Sequence, residues 1–114
     1  MPVRVRLRIS SEGKSVETSG YVNSGYEADQ PELLIPLHLA QELGLWGPGT
    51  HVMEEYARTP IGLGRVYVLC RRASVEVVTE DRVSPKIRVC VVVSEFEREV
   101  LISDYLAGEL GIIA

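Results

Sequence analysis

Asn23-Ser24-Gly25 concentrates polar, chemically versatile groups between an apolar strand pattern and an acidic loop. Asn23 is the single asparagine of the chain. Its amide donates and accepts hydrogen bonds and can hold a water, but it takes up no proton at neutral pH. Ser24 brings a hydroxyl, and Glu27 and Asp29 follow within the same loop. Asn, Ser and Gly are also turn formers, so this triplet taken alone reads as a turn. Loop carboxylates such as Glu27 and Asp29 are ordinarily solvated, and a catalytic substitution by either is the lesser reading.

Other candidate chemistry is thin. Asp104 can cap or start a helical pattern, and a capping or ion-pair role is the preferred reading. His38 and His51 lack spaced partners for a metal and read as surface residues. No Ser-His-Asp or Cys-His set is readable. Cys70 and Cys90 are the two cysteines, each inside a Val-rich run. Their spacing gives no four-ligand site, and each reads as a small buried residue. A disulfide between neighbouring strands is the less favoured alternative for a cytoplasmic chain. No metal and no cofactor is expected.

The elements that must position these residues are mostly strands. Val3, Val5, Leu7 and Ile9 alternate with Arg4, Arg6 and Arg8, the period of a half-buried strand. Its arginines read as a solvated edge face. A turn over Ser10–Lys14 leads to a second strand from about Ser15 to Val22. Leu33–Pro36 is extended, and Pro36 opens a helix over Leu37–Leu43 that Gly44 ends. His51–Ala57 and Ile61–Arg71 flank a turn at Arg58-Thr59-Pro60. Ser74–Thr79 and Ile87–Ser94 flank a second turn. Val89–Val93 is a continuous apolar run, as in a strand buried on both faces. Val100–Ile102 is followed by a helix over Asp104–Leu110, ended by Gly111. The expected fold is all-β, a small closed barrel of hairpins with one or two short helices, in a single domain over residues 1–114.

Composition bounds the function. The chain has 114 residues, 46 % hydrophobic and 25 % charged, with net charge −4. Such an acidic balance offers no basic field for nucleic acid. Every apolar stretch is interrupted too early to span a bilayer, and the N-terminus lacks the apolar core of a signal peptide. A cytoplasmic location is expected. Ten arginines stand against two lysines, with one asparagine and two glutamines, a composition that hints at heat adaptation.

Two segments together resemble the retropepsin family of aspartic proteases. The first is Gly20-Tyr-Val-Asn-Ser-Gly25 with Leu33-Leu-Ile-Pro36 and Leu39-Ala-Gln-Glu-Leu-Gly-Leu45. The second is Val100-Leu-Ile-Ser-Asp-Tyr-Leu106 with Gly108-Glu-Leu-Gly-Ile112. The strands between them match a flap hairpin and barrel strands, so the resemblance covers essentially the whole chain. It departs at three positions. Asn23 replaces the family's catalytic Asp, Tyr26 replaces a small residue, and Ile102 replaces the usual Gly.

The resemblance implies a homodimer whose two loops meet on a two-fold axis. Ser24 would brace the loops and Gly25 would complete the signature. Tyr56, Arg58, Gly62 and Gly64 would belong to a flap folding over an extended peptide. In the family two carboxylates share one proton; one activates water while the other polarises the carbonyl. Two amides leave no base. The expectation is a catalytically impaired or inactive homodimer that binds a peptide or partner. One alternative is an active aspartic endopeptidase, if Asn23 is an engineered or deamidated Asp. The other is a small β-barrel interaction protein in which the Asn23 loop is only a turn.

Overall fold

The computed structural model describes residues 3–22, 25–48, 53–59, 62–81 and 84–112. Strand β1 (Val3–Ser11) alternates as its sequence predicts, and Leu7 and Ile9 are fully buried. It turns at Glu12-Gly13, both at positive φ, into β2 (Lys14–Val22). That two-residue turn matches the right-handed strand twist, and Gly13 at φ 82° fills the position where a side chain strains the backbone. The strands pair over their full length, from Val3↔Val22 to Ser11↔Lys14.

Strand β3 (Glu32–Pro36) runs into helix α1 (Leu37–Glu42), which buries Leu39 and Ala40. Strands β4 (Met53–Thr59) and β5 (Gly62–Val77) form a hairpin. Strand β6 (Ile87–Ser94) buries every residue from Val89 to Ser94, because it lies between β3 and β5. Strand β7 (Val100–Ile102) and helix α2 (Asp104–Leu110) follow.

The strand order β1-β2-β7-β3-β6-β5 closes through a β1–β5 pairing into a six-stranded barrel, with β4 attached outside on β5. The fold is therefore mostly β, a closed barrel with two short helices. Its core joins Leu7, Ile9, Leu33, Ile35, Val91, Val93 and Ile102 from the strands to Leu43, Leu106 and Leu110 from the helical segments. Gly20 permits a close approach inside this wall: a Cβ there would stand 2.8 Å from Leu7 Cδ1 and 3.1 Å from Val100 Cγ1. No helix among the described residues is long and apolar enough to cross a membrane.

Three expectations need correction. Residues 61–71 and 74–79 do not make separate strands. One 16-residue strand, β5, runs through both, because a bulge at Arg71-Arg72 absorbs the break in pattern. Arg58 and Thr59 lie within β4, paired with Leu63 and Gly62, rather than in the turn. Finally, β1 is no edge: barrel closure gives it β2 on one side and β5 on the other.

Closure changes what the first-strand arginines do. Arg8 faces Glu76 across the β1–β5 pair, with Nη1 donating to Oε1 at 3.1 Å. The Glu76 side chain is only 10 % exposed. Arg8→Ala leaves that carboxylate without its cation, so a stability loss of about 1–3 kcal/mol is expected. Urea unfolding checks it, and adding Glu76→Gln should recover part of the loss.

Candidate functional site

The two segments singled out in the sequence meet in the barrel wall. Val22, the last residue before Asn23, pairs in parallel with Ile102, while Leu33 pairs with Ile102 from the other side. Strand β7 is thus a three-residue wedge between the strand that leads into the Asn23 loop and the strand that leaves it.

The loop after the signature is tied to the start of α2 by several hydrogen bonds. Asp104 N–H donates to the Tyr26 carbonyl at 2.9 Å. Asp104 Oδ1 accepts from Ala28 N–H at 3.0 Å. Ser103 Oγ accepts from Glu32 N–H at 3.1 Å and from Leu106 N–H at 3.2 Å. Ser103 N–H returns a bond to the Glu32 carbonyl at 3.2 Å. Ser103 is therefore the N-cap of α2. Asp104 is its first helical residue, and its carboxylate serves the loop. Of the two roles expected of Asp104, it takes that of starting the helix, and the cap is Ser103, whose backbone is extended as a cap requires.

Tyr26 is the largest addition to this loop. Its hydroxyl donates to Glu32 Oε1 at 3.0 Å. Burial, then the nearby Glu32 charge and its hydrogen bond, push the Tyr26 phenol far above its ordinary value. A raised phenol keeps its proton in the folded state while the unfolded chain releases it near pH 10. The associated stability is fully present below that pH and is lost as pH rises through the folded value. Tyr26→Phe should flatten the fall in stability between pH 9.5 and about 11.5. Chemical unfolding at a series of alkaline pH values measures it.

Asn23 and Ser24 lie outside the described residues. Gly25 is exposed at the start of the tied loop, and Glu27 and Asp29 are exposed along it. The four flap candidates fall on one hairpin. Tyr56 and Arg58 are in β4, opposite Arg65 and Leu63; Gly62 and Gly64 are in β5, opposite Thr59 and Ala57. Among the described residues this hairpin is joined to the barrel through β5, which pairs with β6 from Val66 onward. At its base a cavity of about 270 Å³ is lined by Arg65, Tyr67, Glu95 and Phe96. Tyr67 Oη donates to Glu95 Oε1 at 3.1 Å and its ring packs edge-on against Trp46. Phe96 is 57 % exposed beside it. No family model matches the chain, and no curated protein matches it.

A larger open groove of about 530 Å³ lies elsewhere, between the start of β1, the end of β5 and the end of α2. Val3, Val5, Val77 and Ile112 give it an apolar lining, and residues 108–112, the end of the second motif segment, form one side of it. His38 is exposed on α1, and His51 lies outside the described residues. Among the described residues no group of three or more His, Cys, Asp or Glu is placed to hold a metal ion.

Cys70 and Cys90 depart from the sequence expectation. They sit directly opposite each other on β5 and β6 and form a disulfide, with Cα atoms 3.8 Å apart. Cys90 is buried, but Cys70 is exposed rather than a buried small residue.

Sequence reasoning missed Tyr26–Glu32, Ser103 and the Phe96 cavity. For Ser103 a signal was present: a Ser preceding Asp104-Tyr-Leu is a cap pattern. The others depend on contacts between loops, which no local pattern encodes.

Proposed function

We propose that the chain is a retropepsin-like module that works as a homodimer and holds an extended peptide or partner segment without acid–base catalysis. The observation that supports this reading best is the adjacency of its two motif segments. Val22 and Ile102 share a rung, and Ser103 and Asp104 fasten the loop that follows Asn23. The Ser-Asp pair binds Tyr26, Ala28 and Glu32, which brings the second motif segment against the residues that follow the first. The β4–β5 hairpin supplies the second requirement, an arm outside the barrel that carries Tyr56, Arg58, Gly62 and Gly64. Such an arm can lay its backbone along an extended chain.

With Asn23 at the signature position, a symmetric dimer has two amides at its centre. They can orient a water or a peptide carbonyl but cannot exchange a proton with either. Binding is what such a cleft retains.

Light scattering across a concentration series tests the assembly, and a dimer is the expected result. A monomer at every concentration would remove the reading. Fluorescence anisotropy with a library of unstructured peptides tests the cleft. Binding should weaken when Gly62 and Gly64 are both replaced by Val, which stiffens the hairpin.

A further inference from the structure

Strand β5 does two jobs along its length. Its first part, Gly62–Val68, pairs with β4 and carries the hairpin. Its last part, Ser74–Val77, pairs with β1 and closes the barrel. Strand β6 runs beside both parts, but its register breaks between them. Cys70 pairs with Cys90 and Ala73 with the adjacent Val89, so Arg71 and Arg72 have no counterpart.

This bulge lies within the barrel wall and divides the stretch of β5 that also carries β4 from the stretch that pairs with β1. Arg71 has φ 62°, a left-handed conformation that an L-residue adopts only at a cost. The Arg72 carbonyl is held on the barrel side by Ser11 Oγ at 2.8 Å, and the Arg71 carbonyl more loosely by Arg88 Nη1 at 3.5 Å. On the hairpin side, the rung next to the bulge is Cys70–Cys90, and it is covalent. Its two residues differ in access, because Cys70 is exposed and Cys90 is 7 % exposed.

We propose that the Cys70–Cys90 disulfide is a thiol-switched clamp that sets the freedom of the β4–β5 hairpin against the barrel. The co-reactant is a dithiol reductant. Its first thiolate attacks Sγ of the accessible Cys70, the Cys70–Cys90 bond breaks, and the electron pair leaves on Cys90 Sγ, which takes a proton. The reductant's second thiolate then attacks the mixed disulfide and releases Cys70 as a thiol. Two electrons and two protons pass to the protein, and the reductant leaves as its own disulfide. Once the rung is no longer covalent, Arg71 can relax from its left-handed conformation and the hairpin arm moves about the bulge. The barrel half of β5 stays anchored by β1, β6 and Ser11. The clamp does not depend on the peptide-binding reading, so a chain that binds no peptide would leave it intact.

Hydrogen exchange with mass readout tests it on the full chain, oxidised and then reduced with dithiothreitol. A Cys70→Ser/Cys90→Ser variant serves as a permanently open form. Amides of β4 and of Gly62–Leu69 should exchange about tenfold faster or more in both open forms, as expected when a cross-link limiting local opening is removed. Amides of β1 and of residues 73–77 should keep their oxidised rates. Limited reaction with glutathione disulfide after reduction should place the first adduct on Cys70. Two free thiols in the air-oxidised protein, unchanged hairpin exchange, or a uniform rise across the barrel would each overturn the clamp.

Discussion

An Asn23→Asp chain should hydrolyse unstructured peptides, with a gain of about 10²–10⁴-fold over the Asn23 chain, the usual worth of acid–base catalysis. The substitution conserves side-chain shape and changes one property, the capacity to exchange a proton. In a homodimer it changes the centre twice. Two carboxylates brought to about 3 Å cannot both ionise, so one holds a proton that polarises the peptide carbonyl while the other takes a proton from water. The rate should follow a bell-shaped pH profile, whose two limbs belong to the pair rather than to either residue. Pepstatin should abolish it. Asn23→Ala controls for a contaminating protease and should stay inactive. Three outcomes separate the readings. Pepstatin-sensitive cleavage by Asn23→Asp alone identifies a disabled protease centre. Cleavage by the Asn23 chain that grows on storage, with Asp mapped at residue 23, identifies deamidation. No cleavage from an intact dimer means that the two loops do not form a carboxylate pair, and the module binds by other means.

The parts of this molecule that were legible from its sequence are those governed by short-range periodicity. The alternation of β1 and the unbroken apolar run of β6 give both strands their correct faces, since each pattern follows from whether one side or two are buried. Pro36 and Gly44 frame α1 as their backbone preferences require. What escaped was set by register and closure. Nothing local says that β1 pairs with β5, and without that pairing Arg8 reads as solvated instead of facing a buried Glu76. Nothing local says that Arg71 and Arg72 bulge, and without the bulge Cys70 and Cys90 do not read as opposite residues. The same holds at the candidate site. Ser103 and Asp104 are 71 and 76 residues away from Glu32 and Ala28, the residues they bind. The break between the second strand and the third was readable, whereas the contacts that fasten the loop there were not.

The largest stability effect is expected at Ile102. This residue occupies the position where the resembled family usually carries Gly, and in this barrel it is fully buried. Its neighbours across both rungs are Val22 and Leu33, each also buried. Strand β7 has only three residues, so few backbone hydrogen bonds hold it between β2 and β3. Most of its hold must come from side-chain burial. Ile102→Ala removes that contact and leaves a cavity at the seam, at a cost of about 2–5 kcal/mol. For a domain of this size the melting temperature should fall by roughly 10–25 °C. Ile102→Gly, the change toward the family's usual residue, should cost a further 0.5–1 kcal/mol or so through backbone freedom. Leu101→Ala is the internal control. Leu101 lies on the same short strand with the same ladder but is only half-buried, so its loss should be clearly smaller. Equal losses at the two positions would show that β7 is held by its ladder rather than by the wedge. Val22, the partner of Ile102, leads directly into Asn23. A milder Ile102→Val change, which keeps the barrel folded at a cost of about 0.5–1.5 kcal/mol, should lower the activity gained by Asn23→Asp by more than the unfolded fraction accounts for. That excess would tie the packing of β7 to the geometry of the signature loop.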